Sequence, residues 1–164
     1  MAISATNPLS LSETDREFMA RALQLAAAAG DRGEVPIGAV AVRGGTVIGS
    51  AANRVEEAQD ATAHAELLVI AEATRALGSW RLQGVTVYTT LEPCPMCAGA
   101  LLLARVDRVV YGADDPKKGA VGSVYNVLEN SAGNHHPQVA GGCLAEESGL
   151  LLQAFFRSLR DRSG

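Results

Sequence analysis

Aromatic residues are scarce in this chain: one tryptophan, three tyrosines and three phenylalanines among 164 residues. Its core must therefore be built from Leu, Val, Ile and Ala, and a hydrophobic share of 48% suffices for one domain. Lysine is nearly missing, and the only two are adjacent, Lys117 and Lys118. The net charge of −4 excludes the broadly basic surface from which general nucleic-acid binders draw their affinity. An RNA partner would have to meet a local patch, and two are on offer: the lysine pair, and Arg157, Arg160 and Arg162 in the tail. No apolar run reaches the roughly 20 residues that cross a bilayer. Met1 to Glu13 has no basic stretch followed by an apolar one, so it does not read as a secretion signal, and the cytoplasm is the expected compartment. Three cysteines, two of them a C-x-x-C pair, argue against a disulfide framework and for metal or redox use.

The pattern along the chain predicts a loose leader over 1–11 and a single domain over 12–164. Phe18, Ala22, Leu25, Ala26 and Ala29 recur at helical spacing from Glu13 until Gly30 stops the run. Val35 to Val42 and Val47 to Ala52 read as strands joined by the hairpin turn Arg43-Gly44-Gly45-Thr46. A helix is expected over Ala63 to Leu77, a strand over Val85 to Thr90, a short helix over Met96 to Ala104 and a strand over Val106 to Tyr111. Gly112 to Val121 reads as loop. Ala145 to Arg160 reads as an amphipathic helix with Leu150-Leu151-Leu152 and Phe155-Phe156 inside. This alternation predicts an α/β fold, a three-layer α/β/α sandwich on a mixed sheet. Cys143, just before the last helix, reads as a buried small apolar residue.

Two stretches carry chemistry: His64-Ala65-Glu66 and Pro93-Cys94-Pro95-Met96-Cys97. They supply one imidazole, two thiols and a spare carboxylate. Three protein ligands with a fourth position open to water distinguish a catalytic zinc site from a closed structural one. Both stretches fall at expected strand-to-helix junctions, where helix N-termini favour thiolate over thiol. Zinc held by His64, Cys94 and Cys97 would acidify water toward neutrality. Glu66 is two residues from His64, about 200° around a helix, so it does not share that face. From the first turn it can still reach a site beyond the helix end, which suits a proton carrier and not a fourth ligand. A closed, non-catalytic zinc module is the competing reading of the same residues.

His-x-Glu followed by Pro-Cys-x-x-Cys is a known signature of zinc-dependent nucleobase deaminases. From about Asp15 to Arg160 the chain resembles the cytidine/deoxycytidylate deaminase superfamily, and within it the bacterial tRNA-specific adenosine deaminases. The resemblance is carried by Glu34-Val35-Pro36-Ile37-Gly38-Ala39-Val40, Asn53-Arg54, Thr62-Ala63-His64-Ala65-Glu66 and the segment Thr90 to Ala100. Gly119-Ala120-Val121-Gly122-Ser123, Asn134-His135 and the tail Phe155 to Arg160 extend it. It implies a five-stranded sheet, one zinc ion per subunit, and a homodimer whose two subunits shape an RNA site. It implies deamination of adenosine to inosine at the wobble position (34) of an arginine tRNA with anticodon ACG. By resemblance, Asn53 hydrogen-bonds the flipped base, and Asp115, Lys117, Asn134, Phe156 and Arg160 face the anticodon loop. The chain departs from the family at Asp114, where a basic residue is common, and over 129–133, which lack the histidines of some members. A free-base enzyme resembling guanine deaminase is the alternative, since His-Ala-Glu and Pro-Cys-Pro-Met-Cys occur there too.

Overall fold

The computed structural model describes residues 10–129 and 132–164. Along them run α1 (Glu13–Asp31), β1 (Gly38–Arg43), β2 (Thr46–Ala52), α2 (Val55–Ala58), α3 (Ala65–Leu77), β3 (Val85–Leu91), α4 (Pro95–Leu103), β4 (Arg108–Ala113), β5 (Gln138–Ala140) and α5 (Ala145–Ser163). The five strands form one mixed sheet in the order β2-β1-β3-β4-β5. β1 is antiparallel to β2 and β3, whereas β3, β4 and β5 are parallel. A parallel pair needs a crossover, and α4 provides it between β3 and β4.

Strand alternation assigns the two faces. Ala39, Ala41, Val85, Val87 and Val109 bury against Ala65, Val69, Ala98 and Leu101 of α3 and α4. Val40, Val42, Tyr88, Val110 and Ala140 bury against Phe18, Met19 and Ala22 of α1, with Cys143 beside them. The expected three layers follow. With so few aromatics the helices must come close, and glycine lets them. A Cβ on Gly38 would strike the Ala22 carbonyl of α1, and one on Gly49 would crowd Val69 and Ala73 of α3. In the hairpin, Gly44 (φ 56°) and Gly45 (φ 77°) both take the left-handed conformation that the tight β1–β2 turn requires.

Asp15 fastens α1 to the sheet. Ser12 and Asp15 form a reciprocal capping box at the helix start. The same carboxylate accepts from Tyr88 Oη at 2.9 Å and from Arg108 at 2.6 and 3.0 Å. Burial alone would raise its pKa, but the hydrogen bonds from Arg108, Ser12 and Tyr88 win and hold it well below the usual carboxylate range.

Several elements differ from the sequence reading. Residues 1–9 of the expected leader lie outside the described residues; Leu11 packs against the α1 core and Ser12 caps the helix. β1 begins at Gly38 and not Val35, because Pro36 has no N–H to donate and the Ile37 N–H turns back to the Val35 carbonyl at 2.8 Å. α2 and β5, four and three residues long, are too short for a periodic pattern to reveal. α5 does not bury the apolar residues expected inside. Only Ser148 is buried, its hydroxyl donating to the Thr90 carbonyl, whereas Leu150 is 57% and Phe156 44% exposed. After Phe155 every residue of the helix is exposed, so its last two turns lie beyond the sheet.

The Asp15 pair predicts an acid-sensitive fold. Its carboxyl has a lower pKa folded than unfolded, so its stabilisation is complete above the unfolded value and is lost as pH falls toward the folded one. In urea titrations, Asp15→Asn should cost about 3 kcal/mol at pH 6, because Arg108 is left mostly sequestered without its partner. It should also flatten the decline of stability between about pH 5 and pH 3.

Candidate metal centre and active site

His64 and Cys94 hold equivalent positions. Each is the N-cap of its helix, α3 and α4, in extended backbone conformation, and neither side chain makes a capping hydrogen bond. Both side chains are therefore free to turn toward the space beyond the helix ends. α3 is capped instead from outside, by Asn53 Oδ1 accepting from the Ala65 N–H at 2.9 Å. α4 starts on Pro95, which has no N–H to satisfy. Cys97 follows one turn later and reaches the same point. His64 Nδ1 stands 3.7 Å from Cys94 Sγ and 3.5 Å from Cys97 Sγ, and the three donor atoms lie within 4.8 Å of one another.

Two sulfurs and one imidazole in this proximity fit zinc, and three donors leave one tetrahedral position open. Glu66 does not belong to the donor group. Its buried carboxylate accepts from Thr89 Oγ1 at 3.2 Å and lies 3.6 Å from Cys97 Sγ. Burial raises its pKa above the ordinary carboxylate value, which favours the protonated form. Among the protein groups alone, the hydrogen bond from Cys97, aided by His64, pulls Cys94 down to about 4. The bond to Cys94 raises His64. Cys97 is pushed up by that same shared proton and by burial. Cys143 is buried away from the group, as expected, and burial lifts it to about 11.

The remaining expected residues fall into three places. Asn53 is buried beside the cluster, with its oxygen committed to the Ala65 N–H and no hydrogen bond from its amide nitrogen among the described residues. Lys117, Phe156 and Arg160 line one groove with Pro116 and Arg157, where the loop after β4 meets α5. Asp115 shapes that loop, its Oδ1 accepting from the Lys117 and Lys118 N–H groups at 3.0 and 3.1 Å. Asn134 is elsewhere. It lines a separate groove with Trp80, Leu103, Arg105 and His135, and His135 Nε2 meets the Val106 carbonyl at 2.7 Å. Val106 precedes β4, whereas Cys94 follows the other end of the neighbouring β3, so the length of a strand, about 20 Å, separates Asn134 from the cluster of its own chain. Thr89 and Glu92 escaped the sequence reading as site residues. A threonine inside a β-branched strand and a glutamate at its end carry no signal of what they will bond.

Metal content separates these cysteines. Cys94→Ser and Cys97→Ser should lose most bound zinc in plasma emission measurements, and Cys143→Ala should keep about one ion per chain. In metal-stripped protein, iodoacetamide should alkylate Cys94 at a nearly constant rate from about pH 5.5 to 8, because a thiol lowered to about 4 is already thiolate there. A rate rising steeply with pH would contradict that assignment.

The MafB19-like deaminase family matches residues 13–160. A tRNA-specific adenosine deaminase of Bacillus subtilis is 53% identical over 148 residues, which span 90% of this chain and 92% of that protein. A structure solved in a study of A-to-I editing by tRNA:A34 deaminases superposes with a TM-score of 0.80 at 49% identity, covering 83% of this chain and 99% of that one. Guanine deaminase from Bacillus subtilis is more distant, with a TM-score of 0.60 at 31% identity over 88% of this chain and 92% of that one. The shared sheet, the converging His/Cys/Cys group and these matches together establish that the chain belongs to the MafB19-like deaminases, among the tRNA-specific adenosine deaminases.

Proposed function

We propose that this chain catalyses the zinc-dependent hydrolytic deamination of adenosine to inosine at wobble position 34 of an arginine tRNA with anticodon ACG. The observation that carries the chemistry is the three-donor group with the buried Glu66 carboxylate beside it, outside the donor set and held by Thr89. The substrate is supported by 53% identity to a tRNA-specific adenosine deaminase, against 31% to a guanine deaminase. With this reading go a cytoplasmic setting and a homodimer whose second subunit completes the RNA site.

His64, Cys94 and Cys97 would hold the zinc ion, which supplies Lewis acidity to activate water near neutral pH. The base must leave its stack to enter the site. Asn53 orients it: with Oδ1 fixed by Ala65, the amide nitrogen is presented as a donor to a purine acceptor. Glu66 takes a proton from the attacking water and delivers it to the departing amine. Carbon 6 gains an oxygen and loses its nitrogen as ammonia. Thr89 holds the Glu66 carboxylate in place throughout. The N-termini of α3 and α4 stabilise negative charge at the reaction centre. Phe156 offers a face for stacking an unpaired base, and Lys117 and Arg160 offer charge to phosphates along the same groove.

The test is incubation with an ACG anticodon stem-loop, with free guanine and adenosine alongside, scoring inosine and ammonia. The stem-loop should be converted and guanine left intact; the reverse pattern would sink the reading. Glu66→Gln should lower kcat by about 10²- to 10⁴-fold while zinc stays bound. Unchanged activity would remove Glu66 from the mechanism. Truncation after Leu152 should abolish stem-loop turnover by removing Phe156 and Arg160.

A further inference from the structure

Glu92 follows directly on β3, two residues before Cys94, and it is 2% exposed with no cation paired to it among the described residues. Its carboxylate is saturated instead by the loop that follows β4. Oε1 accepts from the Asp115 N–H at 3.2 Å and from the Ser123 hydroxyl. Oε2 accepts from the Val121 and Ser123 N–H groups at 3.0 and 3.1 Å. A carboxylate has about four acceptor positions, so none is left for a metal or a substrate. The loop is fitted to this anchor. A Cβ on Gly119 would collide with the Glu92 carboxylate, and the Ala120 N–H donates to the Pro93 carbonyl at 2.8 Å. Asp115, fixed through its own N–H, passes the constraint on by accepting from Lys117 and Lys118. These two lysines, both exposed, are the only ones in the chain.

We propose that Glu92 is a positioning residue for a polynucleotide substrate, its carboxylate holding loop 115–123 so that Lys117 and Lys118 meet phosphates beside the His64/Cys94/Cys97 cluster. The inference rests on the RNA reading above and adds to it a division of labour. The strand that delivers the cysteines also sets the loop that grips RNA, and Glu92 governs substrate binding and not the chemical step.

The experiment compares zinc-loaded wild type, Glu92→Gln, the Lys117→Ala/Lys118→Ala double variant and the triple combination on the stem-loop, across a range of salt. Glutamine keeps the shape of Glu92 but turns an NH₂ toward backbone donors. Glu92→Gln should raise KM about tenfold with kcat within about threefold and zinc unchanged. The slope of log KM against log salt should fall by up to about 1.5 in both Glu92→Gln and the lysine double variant, since each removes up to two phosphate contacts. The triple variant should be no worse than Glu92→Gln. Three outcomes would overturn the inference: defects that multiply in the triple variant, a fall in kcat or zinc with KM and slope unchanged, or lysines whose removal alters neither. If Glu92→Gln does not fold, Ser123→Ala removes one of the four bonds and should raise KM in the same direction, and no rise refutes the role. Wild type that ignores the stem-loop but deaminates a free purine would refute the RNA reading itself. Stem-loop turnover insensitive to the lysines would refute only the role of Glu92.

Discussion

The site depends on two helix N-termini left uncapped by their own first residues. His64 and Cys94 occupy positions where a serine or aspartate would bond back to the helix, and neither does so. The unsatisfied helix ends and the free side chains then point into one space, and Cys97 joins them one turn along. The positive ends of α3 and α4 favour anionic sulfur there, consistent with the low pKa of Cys94. Each helix has its own remedy for the missing cap: Asn53 from a neighbouring segment for α3, and Pro95 at the first position of α4. The remedy for α3 also orders the Asn53 side chain, whose oxygen is fixed by the Ala65 N–H.

A second device recurs around that centre. Buried carboxylates hold backbone where another protein might use packing. Asp15 caps α1 and ties it to β3 and β4. Glu34 accepts from the Glu56 and Glu57 N–H groups and fixes the start of α2, on the path from Asn53 to His64. Glu92 gathers the loop after β4. Of these three, Asp15 alone has a cationic partner among the described residues. In a chain with few aromatics, these charge-assisted bonds to N–H groups supply directional constraint that small aliphatic side chains lack. They also place part of the acidic excess inside the molecule, so the formal net charge understates how basic the surface near Lys117 and Arg160 can be.

Much of this was legible in the sequence. Strand alternation and helical spacing gave α1, α3, α4 and the central strands to within a few residues, and the Gly44-Gly45 turn came from the conformational need of a tight hairpin. His64, Cys94 and Cys97 were readable because metal chemistry limits which residues can serve and how far apart they stand. Glu66 followed from its place on the first turn of α3. What was not legible depends on contacts distant in sequence. β5 is three residues whose pairing with β4 comes only after the loop folds back. The apolar residues of α5 have helical period, but period does not tell whether a sheet lies beneath them, and Phe156 is outside. Asn134 sits beside His135 in sequence, and His135 bonds to Val106 at the far end of the sheet. Glu92 stood in the motif as one more letter, and its four bonds connect it to residues 23 to 31 positions away.

The central claim is that three side chains at two helix ends hold a metal with one position left open. Zinc-edge X-ray absorption on the loaded protein tests it most directly. The account predicts a four-coordinate ion with two sulfurs, one imidazole nitrogen and one exchangeable light-atom ligand that remains when Glu66 is replaced by alanine. A first shell of four protein donors, or a third sulfur from Cys143, would contradict it.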